Sequence, residues 1–309
     1  MTRYNLVIFH VPGRQDIHDF LEIREIIASR APEIAVHIIT LPQIPGTVFW
    51  GLLAASPTLL FAPWILPIPL SIRGTRRTAI PANKWQQLEM LKKTHLPVPE
   101  TVKIAPGLSL SEEEWGPFTI VKPINGFRGR GIELEATSKV RWRDPLSWPK
   151  EHPRHGQTLL AQKFIDTGHP PRHHRVFTVL GRVVYARTSI GSSEFPEDQG
   201  PVSGKPTSVT TNAGKRTFEL CYEQDVLDLA RSVHAAFATL PNLGIDIIRE
   251  TKTGQLYVLE INPSGQTWHI SSDHGKELNK EAGFDVAEQF GALDIIADAL
   301  IEATRRDAS

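Results

Sequence analysis

Short apolar runs alternate along the chain with stretches whose apolar residues recur every three or four positions. The first third reads strand, helix, strand: an apolar run at Asn5–His10, then a helical face of Ile17, Phe20, Leu21, Ile27 and Ala28 closed by Pro32, then Ile34–Thr40. A further run at Thr58–Phe61 completes a small α/β pattern that ends in the proline-rich segment before Arg73. Asn83 is placed to cap a helix carrying Trp85, Leu88 and Leu91, and "LPVPET" stops it, because proline forces extended backbone before itself. Strands at Phe118–Val121 and Ile132–Glu135 flank a glycine-rich loop, and a polar stretch, 137–157, leads to a strand at Thr158–Ala161. Val176–Leu180 and Arg182–Arg187 meet at Gly181 like a tight hairpin, and an irregular stretch runs from Gly191 to Gly214. Val226, Ala230, Val233, Phe237 and Leu240 mark one buried helical stripe; Leu243–Ile248 and Leu256–Ile261 form two strands joined at Thr253-Gly254. A last helical stripe takes in Val286, Phe290, Leu293, Ile296 and Leu300. The pattern predicts a mixed α/β and α+β protein of three units, 1–82, 83–165 and 166–309, with no internal repeat.

Composition narrows the function classes. The 309 residues carry 34 basic and 34 acidic side chains, so no global field draws the protein to nucleic acid or to an acidic membrane. Any anion must be held by a local cluster. The single cysteine, Cys221, excludes an internal disulfide and fits a reducing compartment, and the apolar run near the start is too short for a secretory signal; the expectation is a cytoplasmic protein. One segment argues otherwise, since Ile38 to Ile72 holds no charged side chain. Pro45, Pro57, Pro63, Pro67 and Pro69 obstruct a continuous helix there, so the segment reads as a buried strand with apolar loops. Its apolar part, 47–70, also offers a contact for a homodimer.

The chemistry concentrates in two places. In "GIDIIRETKTGQLYVLEINPSG", Asp246 sits in one strand while Glu260 and Asn262, two apart, share a face of the next. If the strands pair, three oxygen-bearing side chains converge with no nearby lysine, an arrangement that a hard cation such as magnesium would relieve. The same residues also read as polar caps at a strand end, Asn262-Pro263 starting a turn. In "FTIVKPINGFRGRGIELEA", residues 118–136, Lys122 ends an apolar run and the loop Gly126-Phe127-Arg128-Gly129-Arg130-Gly131 follows. That loop is a candidate lid for polyphosphate or an ordinary basic hairpin; it is neither a Walker loop nor a dinucleotide fingerprint. His169, His173 and His174 are weighed as a zinc site, but in a proline-rich turn with no cysteine nearby, and with Arg172 and Arg175 to repel a cation, they read instead as a solvated loop; Arg73, Arg76 and Arg77 read as a solvated linker. Asp273-His274, beyond the second acidic strand, is a candidate substrate contact.

Taken in order, "NKWQQLEMLKKTHLPVPET", "FTIVKPINGFRGRGIE", "LLAQKFID", "RVFTVLGRVVYARTSI" and "LGIDIIRETKTGQLYVLEINPSG" resemble the ATP-grasp superfamily, in particular its glutamate-ligase and glutathione-synthetase-like branch. The resemblance covers about residues 74–300 and implies two α+β subdomains gripping ATP, preceded by a small Rossmann-like domain. It implies an enzyme that uses ATP and Mg2+, with Mn2+ as an alternative, to make an acyl phosphate that an amine displaces. The substrates would be small-molecule carboxylates and amines, amino acids or peptides among them. An acid–thiol ligase, a kinase and a non-catalytic ATP-binding regulator remain as alternatives.

The resemblance also assigns residues. Lys84 and Lys122 look like the lysines that meet the phosphates, and Gly126, Arg128, Gly129, Arg130 and Gly131 like the closing loop. Gln162, Lys163, Phe164 and Ile165 resemble the hinge that pairs with adenine. Arg187 and Asn212 match positions at the transferred phosphoryl group or acyl substrate, and Arg175 the arginine of a D-x-R segment. Asp246, Glu260 and Asn262 match the metal ligands. The acidic residue expected two before Arg175 is His173 here, which leaves the ribose contact to His173 or Asp166.

Overall fold

Whether a sheet is covered on one face or on two decides how its strands look in sequence, and the chain uses both kinds. The computed structural model describes residues 4–66, 72–126, 129–191, 216–263 and 268–308. Its first part contains β1 (Tyr4–His10), α1 (Ile17–Arg30), β2 (Ile34–Thr40), α2 (Thr47–Leu53), β3 (Thr58–Ala62) and β4 (Gly74–Thr78). The four strands form a parallel sheet in the order β2-β1-β3-β4. Leu6 and Ile8 face a core with Phe20, Ile23 and Ile27 of α1, while Val7 and Phe9 face another with Leu53. Burial on both faces explains why β1 and β3 are uninterrupted apolar runs. Asp16 caps α1, its carboxylate accepting from the His18 amide at 3.1 Å.

The second part comprises α3 (Lys84–Lys92), β5 (Thr101–Lys103), α4 (Glu112–Trp115), β6 (Phe118–Pro123), β7 (Glu133–Ala136) and β8 (Leu159–Lys163). Its sheet is antiparallel, in the order β5-β8-β6-β7. Asn83 and Gln86 form a capping box that fixes where α3 begins, and so where Lys84 points.

The third part holds β9 (Arg172–Val179), β10 (Arg182–Gly191), β11 (Arg216–Leu220), α5 (Gln224–Ala236), β12 (Asn242–Arg249), β13 (Leu256–Asn262), α6 (Asp273–Ala282) and α7 (Ala292–Asp307). The five strands are antiparallel, in the order β11-β10-β9-β12-β13. The β9–β10 hairpin turns on Leu180 at φ 48° and Gly181 at φ 89°, the left-handed pair that a two-residue turn of matching twist requires. One face of this sheet packs on α5, with Val176, Ala186, Val226, Ala230, Ile245 and Ile247 in a common core. The other shares a core with the first sheet, where Phe177, Tyr185 and Trp268 meet Phe20, Ile296 and Leu300.

Several expectations change. The last helix begins at Ala292, so Val286 and Phe290 precede it; Gly291, at φ 74°, breaks the apolar periodicity that joined them. Arg76 and Arg77 belong to β4 instead of a solvated linker, and Arg77 donates to Asp307 and to the Ala238 carbonyl, both at 2.5 Å. His173 and His174 lie in β9, not in a turn. No helix among the described residues is long and apolar enough to cross a membrane.

Candidate active site

Strand register assembles the site. Glu260 pairs with Asp246, Asp246 with Arg175, and Arg175 with Arg187, so four charged residues stand side by side across β13, β12, β9 and β10. Directly paired residues project to the same face, about 5 Å apart, which turns separate motifs into one row of two acids and two arginines. Asp246 takes a two-pronged bond from Arg175: Nη2 reaches Oδ2 at 2.8 Å and Nε reaches Oδ1. From the start of α3, Lys84 donates to Glu260. Asn262 follows on the same face and donates to the Gly244 carbonyl at 3.3 Å.

The carboxylates are therefore not left without a lysine, as the sequence suggested. Lys84 is 176 residues from Glu260, a separation that no local pattern reveals. The environment also splits the two acids. Burial, helped by the charge of Glu260, raises the pKa of Asp246 against the opposing pull of Arg175 and Lys84. Burial likewise pushes Glu260 upward, but the charge and hydrogen bond of Lys84, with Lys122 and Arg175 behind them, outweigh it and hold Glu260 low.

Lys122, buried in β6, approaches the row from the second sheet. Its Nζ donates to Gln162 Oε1 at 3.0 Å, and Gln162 Nε2 donates to Thr101 Oγ1 at 2.9 Å, which fixes the orientation of the amide. Burial, reinforced by the charge on Lys84 and opposed by Glu260 and Asp246, lowers the Lys122 pKa to about 8. Arg175 stays firmly charged, because Asp246 outweighs the effect of burial. Burial lowers Arg187 to about 10; its guanidinium lies 4.7 Å over the Phe218 ring, and Nη1 has no hydrogen-bond partner among the described residues. A cavity of about 10 Å³ beside Arg187, Tyr185 and His269 has room for one water. His173, on the same face, is neutral: burial, then Arg175 and Arg187, lowers it to about 3.

The glycine loop is built for its own backbone as well. A Cβ on Gly126 would lie 2.9 Å from Pro123 Cγ, and Gly131 has φ +75°. Gly129 and Arg130 occupy the turn between β6 and β7, while Arg128 lies outside the described residues, as does Asn212. The residue that anchors the loop's return strand went unrecognised. Arg154, 3% exposed, donates to the Gly131 carbonyl at 3.1 Å and pairs with Glu133 and Glu135 at 2.9 and 3.0 Å. Only the alternating acids of "GIELEA" hinted that an arginine was needed.

At the expected hinge, Gln162 and Lys163 end β8, and Phe164 and Ile165 follow it. The Lys163 amide already donates to the Glu100 carbonyl at 2.8 Å, and its Nζ donates to the Glu114 carbonyl at 2.6 Å. Asp273 and His274 open α6 behind the Ser272 cap. Before them, Trp268 donates to buried Asp19 of α1 at 2.7 Å, tying the segment after β13 to the first sheet.

No protein-family model matches the chain, and no curated protein matches it by sequence. Its shape does match solved structures. The ATP-grasp ligase PsnB in complex with a minimal precursor aligns with 98% of this chain and 100% of its own, at 14% identity and a TM-score of 0.50. This is the ATP-grasp fold. A second PsnB complex, with a phosphomimetic precursor variant, Mg and ADP, gives 15% identity, coverage of 97% and 98%, and the same TM-score of 0.50. D-alanine–D-alanine ligase from Bacillus anthracis, complexed with ATP, aligns over 99% of both chains at 15% identity and a TM-score of 0.47. In the ATP-grasp fold of this chain, the charged row belongs to the third sheet, and Lys122 reaches toward it from the second.

Proposed function

We propose that the chain is an ATP- and magnesium-dependent ligase that joins a carboxylate to an amine through an acyl phosphate, releasing ADP and phosphate. The observation that carries this reading is the Glu260–Asp246–Arg175–Arg187 row, with Lys84 and Lys122 converging on it from other elements. Phosphoryl transfer needs positioning and charge neutralisation more than covalent help, and these groups are of the right kind. The PsnB complex with Mg and ADP supports the choice of nucleotide and metal.

Asp246, Glu260 and Asn262 would hold the metal: a buried carboxylate, a partly buried one and an amide are a hard-oxygen set suited to magnesium. Bound there, the ion would neutralise phosphate charge and orient its oxygens. Lys84 neutralises Glu260 in this structure, and a polyphosphate offers it a competing partner that frees the carboxylate for the cation. Arg175 positions Asp246. Lys122 meets phosphate from the second sheet, and Nη1 of Arg187, which has no partner among the described residues, is available to an oxyanion. The glycine loop with Arg128 and Arg130 closes over the γ-phosphate and excludes water. The unit boundaries near residues 82 and 165 then separate an N-terminal domain from the two halves of the nucleotide grip.

Hydroxylamine trapping tests the reaction. With ATP, magnesium, the correct acid and no amine, ADP and hydroxamate should appear in step, because an acyl phosphate is open to a small nucleophile. The acid panel begins with amino acids and peptides, in keeping with the precursor bound in the PsnB structures. ADP accompanied by a stable phosphate ester would make the protein a kinase.

A further inference from the structure

On the opposite face of the third sheet from Asp246, His174, Cys221 and Glu223 bring a nitrogen, a sulfur and an oxygen within 4.8 Å of one another. The Nδ1 atom of His174 lies 3.6 Å from Cys221 Sγ and 3.9 Å from Glu223 Oε1. The thiol and the carboxylate thus meet the same ring nitrogen. A nucleophilic triad needs the thiol at one imidazole nitrogen and the acid at the other, so this is not a triad. Donors converging on one point are the arrangement of ligands around a shared centre. For tetrahedral zinc, bond lengths of about 2.3 Å to sulfur and about 2.0–2.1 Å to nitrogen place those two atoms about 3.6 Å apart, the separation seen here.

The donors are also held in place. His174 sits within β9, where Thr188 Oγ1 of the neighbouring strand lies 2.9 Å from the same Nδ1 and must turn away when a metal takes that nitrogen. The Cys221 amide donates to the Ala186 carbonyl at 2.9 Å, and its carbonyl accepts from Gln289 at 2.8 Å. Glu223 is the adjustable member, with its side chain 46% exposed. Arg249 binds its other oxygen at 2.7 Å, leaving Oε1 toward His174, and Asp225 balances that arginine with bonds of 2.8 Å.

We propose that His174, Cys221 and Glu223 bind a zinc ion, with water as the fourth ligand. Thiolate, imidazole and carboxylate together favour zinc over magnesium, so the site is chemically distinct from the one at Asp246. Binding releases the Cys221 proton to solvent and forms the sulfur–zinc bond without any change of oxidation state. The ion clips the segment between β11 and α5 to β9. Its role is structural.

Cobalt reports on this site without reference to ligase activity. The chain is stripped with a chelator, given excess Mg2+ to occupy hard-oxygen sites, and titrated with Co2+. Cys221 is the only cysteine, so any thiolate-to-cobalt charge-transfer band must come from here. The band should saturate at one equivalent, vanish on adding one equivalent of Zn2+, and be absent in Cys221→Ser. Glu223→Gln, a substitution at an exposed side chain that leaves the fold intact, should weaken zinc binding at least about tenfold. The absence of a band at excess Co2+, or zinc affinity unchanged in both variants, would overturn the proposal.

Discussion

Neighbouring residues on β9 go to opposite fates. His173, Arg175 and Phe177 face the charged row and the core beneath it, whereas His174, Val176 and Thr178 face α5. On β12, Asp246 stands on the first face between Ile245 and Ile247 on the second. The charged face gathers groups that would each be unfavourable alone and stabilises them by pairing; the α5 face is mostly apolar, with its charged groups, Glu223, Asp225 and Arg249, paired at one edge. The same strands therefore serve chemistry on one side and stability on the other, and substitutions one residue apart should fail in different ways.

The largest contrast is expected at Asp246. Asp246→Asn should reduce ADP release at least about a hundredfold, from lost metal binding and charge stabilisation. It also leaves Arg175 buried without its partner, which costs about 3–5 kcal/mol and would appear as a lower midpoint in urea. Relief of carboxylate repulsion does not protect this variant, because Asp246 is already paired. Next door, Ile247→Ala should cost about 2–5 kcal/mol through cavity formation yet leave turnover per folded molecule unchanged. If it abolished turnover while folded, the two faces would not be separable.

Acid sensitivity should come from both faces through buried neutral histidines. His234 of α5, bonded to Thr178 Oγ1 at 2.7 Å, has its pKa lowered to about 4 by burial, against an ordinary value near 6.5. Between those values the unfolded chain binds a proton that the folded one does not, so stability is complete above about pH 6.5 and falls as the pH approaches 4. The loss attributable to His234 is roughly 3 kcal/mol. Thermal melts across that range should flatten in His234→Gln, with His173 accounting for further loss toward pH 3. The smallest effect concerns Lys122. Above about pH 8 it loses its proton in the free protein, so nucleotide affinity measured by calorimetry should fall by up to about tenfold per pH unit. Lys122→Arg should remove that slope, since arginine stays protonated.

Much of the fold could be read from periodicity wherever one period dominated. β2 runs from Ile34 to Thr40 as its apolar pattern indicated, and Asn83 caps α3. Short or polar elements were not legible: β4 reads "GTRRT", and α6 buries only Gly275 and Leu278. Alternation placed Glu260 and Asn262 on one face, and the register bears out Asp246 as their neighbour. Lys84 at Glu260 and Arg154 at Gly131 could not be inferred, because each contact joins elements from different parts of the chain. Cys221 near His174 was hidden for the same reason.

The core under the first sheet joins Leu6 and Ile8 to Ile296 and Leu300 of α7, and Arg305 of that helix bonds Glu33 at 2.9 Å. During synthesis, β1 and α1 emerge long before residues 292–307 exist to cover them. Until those residues are made, the flank of the first sheet that carries Leu6 and Ile8 lacks its α7 cover, and apolar surface left open in this way favours aggregation. The first sheet is thus completed only once α7 is made, whatever the order in which its own strands appear.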